Sequence, residues 1–201
     1  RDWSDVCSSD LGTLYEALTS APIALDADPF ILATAIERLD LMPADRQLTG
    51  AEIELVSLVS REERLRTLLA SVRDRYDYIL IDSPPSLGLL TLNVLVAADA
   101  VIIPLHCEYF ALEGLAELVG TLRRVRAAFN PQLDIEGVLF TMYDERTNLG
   151  IQVANDVRGF FGEKVFRTVI PRNVRLGEAP SHGLPVLLYD AQSRGAKAYI
   201  S

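Results

Sequence analysis

Lysine, histidine, tryptophan and cysteine are all scarce in this chain of 201 residues, with two Lys, two His, one Trp and two Cys. Cys7 and Cys107 can build neither a disulfide framework nor a four-thiolate metal site, and so small a complement fits a reducing compartment. No apolar run reaches the roughly 20 residues of a membrane-spanning helix. No basic start followed by an apolar stretch and a small-residue cleavage site marks a signal peptide. The expectation from these absences is a soluble, cytoplasmic protein with no membrane partner. What is present is ample apolar material, 49% of residues, enough for one well-buried domain. No repeat or linker divides it.

Basic charge is also in deficit. The net charge of −9 argues at first against nucleic acid, because phosphate repels an acidic surface. The deficit is uneven, however: residues 1–139 hold 22 acids and 11 bases, whereas 140–201 hold 6 acids and 8 bases. A local anion-binding patch in the C-terminal third is compatible with the acidic total. Of the 19 bases 17 are Arg, which a GC-rich coding sequence explains without any phosphate site.

The opening RDWSDVCSSDL has neither helical nor strand periodicity. Asp5–Leu11 is also the translation of GACGTGTGCTCTTCCGATCT, a common sequencing adapter. Residues 1–11 are therefore expected to be non-native, with Trp3 and Cys7 carrying no function, and the native domain to start at Gly12 with upstream sequence cut away.

From Gly12 onward helix and strand patterns alternate. Asp28-Pro29 reads as a helix start, with Leu32, Ala35, Ile36 and Leu39 on one face. Residues 39–44 read as a short strand. Ser60 and Glu63 have capping-box spacing ahead of a helix whose apolar face is Leu65, Leu68, Leu69 and Val72. Strands are expected at 76–82, 100–105, 136–144, 164–171 and 185–190. Helices are expected through Leu112–Leu122, ended by Asn130-Pro131, and over 149–161. Ile79–Ile81 and Val101–Ile103 are continuous apolar runs, the pattern of strands covered on both faces. The fold class expected is therefore α/β, a mostly parallel sheet with helices on both faces. Ligands in such sheets sit beyond the carboxyl ends of strands. That draws attention to Asp82, Pro104 to Glu108, Met142 to Asn148 and Pro171 to Arg175.

Asp82 carries the strongest local signal. An acid at the tip of the apolar run Ile79-Leu80-Ile81 is costly unless it meets a cation or hydrogen-bond donors. A Walker B carboxylate that holds Mg²⁺ beside nucleotide phosphates has this character, and so does an Asp that caps a following helix. Pro84 and Pro85 stiffen the exit. The partner motif GxxxxGK[ST], whose backbone N–H groups and Lys cradle phosphates, is absent from the 201 residues. The residues alone thus give half a nucleotide site.

Four long blocks resemble the ParA/Soj family of chromosome-partitioning ATPases, in order and in unbroken register from about residue 12. They are YDYILIDSPPSLGLLTLNVLVAAD (76–99), IPLHCEYFALEGL (103–115), TMYDERTNLG (141–150) and VIPRNVRLGEAPSHGLPVLLYD (169–190). TLYEAL (13–18) and LTGAEIELV (48–56) fit earlier segments of the same family. Family members open on a deviant Walker A motif, KGGVGKTT, which this sequence lacks. Ser83 stands where Cys is usual and His106 where Gln is frequent.

The resemblance implies a P-loop NTPase of the deviant Walker subclass, here without its first strands, with ATP and Mg²⁺ as cofactors. Asp82 matches the catalytic Mg²⁺ carboxylate, acting directly or through water. Met142, Pro171, Arg172 and Asn173 match the nucleotide-binding segments around adenine, an apolar slot with an amide to read the base edge. Arg146 and Arg175 match arginines that contact DNA backbone in the ATP-bound homodimer, a sequence-independent and salt-sensitive mode. A ParB-type partner and a nucleoid-associated location follow from the same resemblance. His106 and His182 are expected to be structural. Glu108 and Glu113 are expected to favour the positive end of a helix dipole.

Three rival readings remain. A MinD-like membrane ATPase needs a basic amphipathic C-terminal helix, and Gly195–Ser201 does not form one. An iron–sulfur carrier ATPase needs paired cysteines, and Cys107 stands alone. A non-catalytic fragment of the fold follows if the phosphate loop is gone.

Overall fold

The computed structural model describes residues 12–20, 26–83, 86 and 88–201. They form two compact units, one made of the residues up to Asp99 with Thr121–Leu133, the other of Ala100–Gly120 with Asp134–Ser201. The expected non-native stretch 1–11 and the stiffening prolines Pro84 and Pro85 lie outside the described residues.

The first unit is mainly helical: α1 (Leu14–Thr19), α2 (Leu48–Leu55), α3 (Arg64–Leu69) and α4 (Leu89–Ala97), with a small antiparallel pair, β1 (Leu32–Ala33) and β2 (Asp40–Leu41). Leu18, Leu55, Leu65, Leu68 and Val72 are its core. The apolar face expected after Ser60 is therefore real, but its capping box is not. Glu63 is the N-cap residue of α3 without a side-chain cap bond, and Ser60 sits at φ 52°. Arg64 is buried at 3% exposure with its guanidinium donating to the carbonyls of Leu18 and Ser20. Burial without a carboxylate partner lowers its pKa.

Two expected elements in this unit differ. The helix over 28–39 is instead a single 3₁₀ turn, Asp28–Phe30, followed by the β1–β2 pair. Thr34 explains the change. Its hydroxyl donates to Leu39 O at 2.7 Å and accepts from Ile36 N at 3.1 Å, and these local bonds compete with helical ones. Arg38 completes the turn at φ 63°. The apolar spacing that suggested a helix leaves Ile36 and Leu39 exposed. The residues 76–82 join no ladder among the described residues, with a bend at Asp77, and Tyr78 and Leu80 are 85% and 88% exposed.

The second unit carries the parallel sheet. β3 (Ala100–His106) pairs with β4 (Asp134–Thr141) from Ala100↔Asp134 to His106↔Thr141, with a register shift after Val101. α5 (Ala111–Ala128) is the crossover between them, and α6 (Asn148–Phe161) follows β4. Ile103 and Leu105 register with Val138 and Phe140, and all four are buried with Leu115 of α5 and Val153 and Val157 of α6. The intervening Ile102 is 50% exposed, so within this unit the core lies on one face.

The expected strand 164–171 runs parallel to β4, with isolated bridges at Val138↔Val165 and, just past the end of β4, at Tyr143↔Pro171. Gly137 permits that approach, since a Cβ there would lie 2.5 Å from the Phe166 ring. The expected strand 185–190 is instead the one-turn helix α8 (Val186–Tyr189), entered from Pro185, whose carbonyl accepts from Leu188 N and Tyr189 N. α7 (Val174–Glu178) and α9 (Arg194–Ile200) complete the unit.

Candidate functional site

In the second unit β3, β4 and the 165–171 segment all run the same way, so their carboxyl ends share one rim. Three backbone bonds knit that rim together: Ile170 N to Phe140 O at 2.8 Å, Tyr143 N to Ile170 O at 3.1 Å and Arg172 N to Tyr143 O at 3.2 Å. Met142 and Pro171–Asn173 therefore meet through Tyr143. That residue was not singled out by the sequence, where it reads as a strand aromatic. The Tyr143 ring stacks on Phe140 at 6.1 Å between centroids, and the Arg158 guanidinium lies 5.1 Å from the Phe140 ring.

Met142 has φ 50° and is 45% exposed. A bulky residue in the left-handed region is strained, and such strain concentrates at binding sites. Here it turns the chain off β4. Asn173 is the N-cap of α7, its Oδ1 accepting from Arg175 N at 2.9 Å. The carboxamide oxygen is thus committed, and its NH₂ is left to address a ligand.

Arg146 and Arg175 are both already paired. The Asp144 carboxylate accepts Arg146 Nε at 2.8 Å, Nη2 at 2.6 Å and the Arg146 backbone N at 3.0 Å. Hydrogen bonds from the Arg146 side chain, then from its backbone, hold the Asp144 carboxyl well below the usual carboxylate range. Arg175 Nη1 donates to Glu178 Oε2 at 2.7 Å, and its Nε lies 3.4 Å from Asp190 Oδ2. Tyr189 also donates to Glu178, and His182 stacks on the Tyr189 ring at 4.8 Å, which gives that histidine a packing partner. His106 Nδ1 lies 3.4 Å from Glu108 Oε1. Cys107 is buried and burial pushes its thiol pKa up, so it is not an activated nucleophile.

Asp82 belongs to the first unit. It is exposed at the end of the unladdered 76–82 segment and has no hydrogen bond or ion pair among the described residues. Those residues also include no group of three or more His, Cys, Asp or Glu able to hold a metal ion. For a nucleotide the fit is uneven. The rim of the second unit offers apolar Met142 and Pro171 and the Asn173 amide for a base. For Mg²⁺ the described residues offer the Asp82 carboxylate, and for phosphates the sequence contains no GxxxxGK[ST] loop of backbone donors. Mg²⁺ is commonly held by one or two carboxylates plus phosphate oxygens, so Asp82 suits part of that role only. No helix among the described residues is long and apolar enough to cross a membrane.

Comparison with known proteins sharpens the picture. A family model described as an AAA domain matches residues 9–135. Among solved structures, cobyrinic acid a,c-diamide synthase from Mycobacterium smegmatis with bound ATP analog and magnesium superposes with a TM-score of 0.76 at 34% identity, covering 95% of this chain and 69% of that one. The cell division ATPase MinD of Pyrococcus furiosus superposes at 0.73 with 22% identity, covering 98% and 75%, and shows the fold alone. The chain therefore carries an AAA domain on an α/β fold with a parallel sheet. Two curated relatives define it further. The sporulation initiation inhibitor protein Soj of Bacillus subtilis is 60% identical over 187 residues, 93% of this chain and 73% of that protein. The chromosome-partitioning ATPase Soj of Treponema pallidum is 56% identical over 197 residues, 96% and 77%. The chain belongs to the Soj/ParA family of chromosome-partitioning ATPases.

Proposed function

We propose that this chain is the greater part of an ATP-driven DNA-partition switch, cytoplasmic and nucleoid-associated. Nucleotide binding drives homodimerisation, the dimer holds DNA without regard to sequence through Arg146 and Arg175, and a ParB-type partner stimulates hydrolysis and release. The chemistry is phosphoryl transfer to water, in which positioning and charge stabilisation do most of the catalysis. Asp82 would hold Mg²⁺, and Met142, Pro171, Arg172 and Asn173 would receive the adenine. The observation that carries this reading is the joining of the last four at one rim through Tyr143, in a chain 60% identical to Soj over 187 residues.

The 201 residues by themselves are proposed to be inactive, because they contain no GxxxxGK[ST] loop or its Lys. Titration of the chain with adenosine and with Mg·ATP, followed by NMR of the Met142 methyl and the Asn173 amide, tests both points. Adenosine is expected to shift both signals weakly, and the triphosphate to add little. Unshifted signals at saturating adenosine would remove the adenine assignment. Low-micromolar Mg·ATP affinity would remove the inactivity.

A further inference from the structure

Arg146 combines high exposure with a two-point bond to one carboxylate. Its side chain is 87% exposed, yet Nε and Nη2 form a parallel fork on the two Asp144 oxygens at 2.8 and 2.6 Å. The two partners are not equally held. Asp144 is anchored by the turn, its Oδ1 also taking the Arg146 backbone N and its carbonyl taking the Thr147 hydroxyl at 3.1 Å and Thr147 N at 3.3 Å. Its side chain is only 23% exposed. The guanidinium is the mobile member, on a long stem in solvent. A bidentate guanidinium fork is the geometry that Arg offers to phosphate as well as to carboxylate. Asp144 thus occupies the place that a phosphate diester would take.

We infer that Asp144 is an internal competitor that sets how strongly Arg146 binds DNA phosphate. A phosphate that takes the Nε–Nη2 edge exchanges with this carboxylate, and one that takes the opposite edge meets it as a nearby like charge. The inference rests on the proposed role of Arg146 as a DNA contact. Arg175 is restrained in a different way, shared between Glu178 at 2.7 Å and Asp190 at 3.4 Å, so neutralising one acid there leaves a second. Among the described residues Asp144 holds the Arg146 fork without a second acid.

The test uses the whole chain with a labelled duplex of random sequence at low ionic strength, read by fluorescence anisotropy. Asp144→Asn keeps an acceptor for the turn, since Asn forms the same local bonds as Asp, and removes the charge. Asp144→Ser is a second replacement that also supports such a turn. Both are expected to bind about two- to fivefold more tightly than the parent, the range an exposed ion pair supports. The gain should vanish when Arg146→Ala is added. If Arg146→Ala weakens binding but neither Asp144 variant strengthens it, the competitor is overturned and the DNA role of Arg146 stands. If the parent binds the duplex and Arg146→Ala changes nothing, the DNA role itself falls and the competitor falls with it. A readout independent of DNA is hydrogen exchange at Arg146 Nε, expected to be slow in the parent and fast in Asp144→Asn. Equal rates would overturn the inference whatever the duplex shows.

Discussion

The Asn93 carboxamide, buried at 1% exposure in α4, accepts the backbone N–H of Leu65 at 3.2 Å. Its NH₂ donates to Arg61 O at 2.7 Å and to Leu89 O at 3.0 Å. One side chain thereby satisfies the entry to α3, which lacks a side-chain cap of its own, and fastens it to α4. Asn is a poor residue for a helix interior, and its presence there is explained by these bonds.

Replacing this residue by Leu keeps the volume roughly similar but strands the Arg61 carbonyl and the Leu65 N–H. Asn93→Leu is expected to destabilise the chain by about 2–3 kcal/mol, the cost of leaving buried polar groups unmade. Urea unfolding followed by circular dichroism measures it. An unchanged midpoint would show that water satisfies the same groups.

Met142 stores strain at φ 50°, a conformation glycine adopts freely. Because the side chain is 45% exposed, little packing is lost on removing it. Met142→Gly is expected to raise stability by up to about 1 kcal/mol while weakening the response of the rim to adenosine. Thermal melting and the NMR titration report the two effects separately. A fall in melting temperature would place the residue in the core instead.

Asp144 ties the 142–147 turn to pH. Its carboxyl is depressed below its ordinary value of 3.8, chiefly by the Arg146 side chain, so the folded turn prefers the ionised form. The stabilisation is fully present above that ordinary value and fades as pH falls through the lower folded one. Slow exchange at Arg146 Nε is therefore expected to change little with the charge state of Asp144 down to about pH 5, and protection to be lost only in more strongly acidic solution. Loss of protection between pH 8 and 5, beyond the intrinsic pH dependence of exchange, would contradict the pairing.

The 76–82 segment exposes Tyr78, Ile79 and Leu80 and has no ladder partner among the described residues, a condition that favours association between chains. The apparent mass is expected to rise with concentration in sedimentation, and Leu80→Lys at this 88% exposed position to reduce that rise. A monodisperse monomer that melts cooperatively would rule out association through this segment.

How much was legible from residues alone varies along the chain. β3, α5, β4 and α6 were readable because each is long and its apolar spacing reports its own burial. Asn130 was read as the end of α5, and it does follow that helix. Its NH₂ also donates to the carbonyls of Leu95, Val96 and Ala98, closing α4 more than thirty residues upstream. No local pattern encodes that bond. The errors fall on short segments. Over 28–39 apolar spacing mimicked a helix, while the Thr34 hydroxyl closed a turn instead. Over 185–190 a β-like run became a single helical turn from Pro185.

Among site residues, Met142, Pro171, Arg172 and Asn173 were named from family blocks. Their meeting through Tyr143, and the Asp144 fork on Arg146, required coordinates. A family-like block fixes which residues are present but not which hydrogen bonds they choose.

The sequence by itself determined the α/β class, the order of the long elements and the family, since these depend on local periodicity and on extended runs of residues in register. Tertiary structure decided the rest: that Met142 turns left-handed off β4, that Asn173 spends its oxygen on a helix cap, and that Asp144 holds Arg146. The reason is physical. Periodicity is a property of neighbours along the chain, whereas a turn's strain and a charge's partner are settled only where separate strand ends meet.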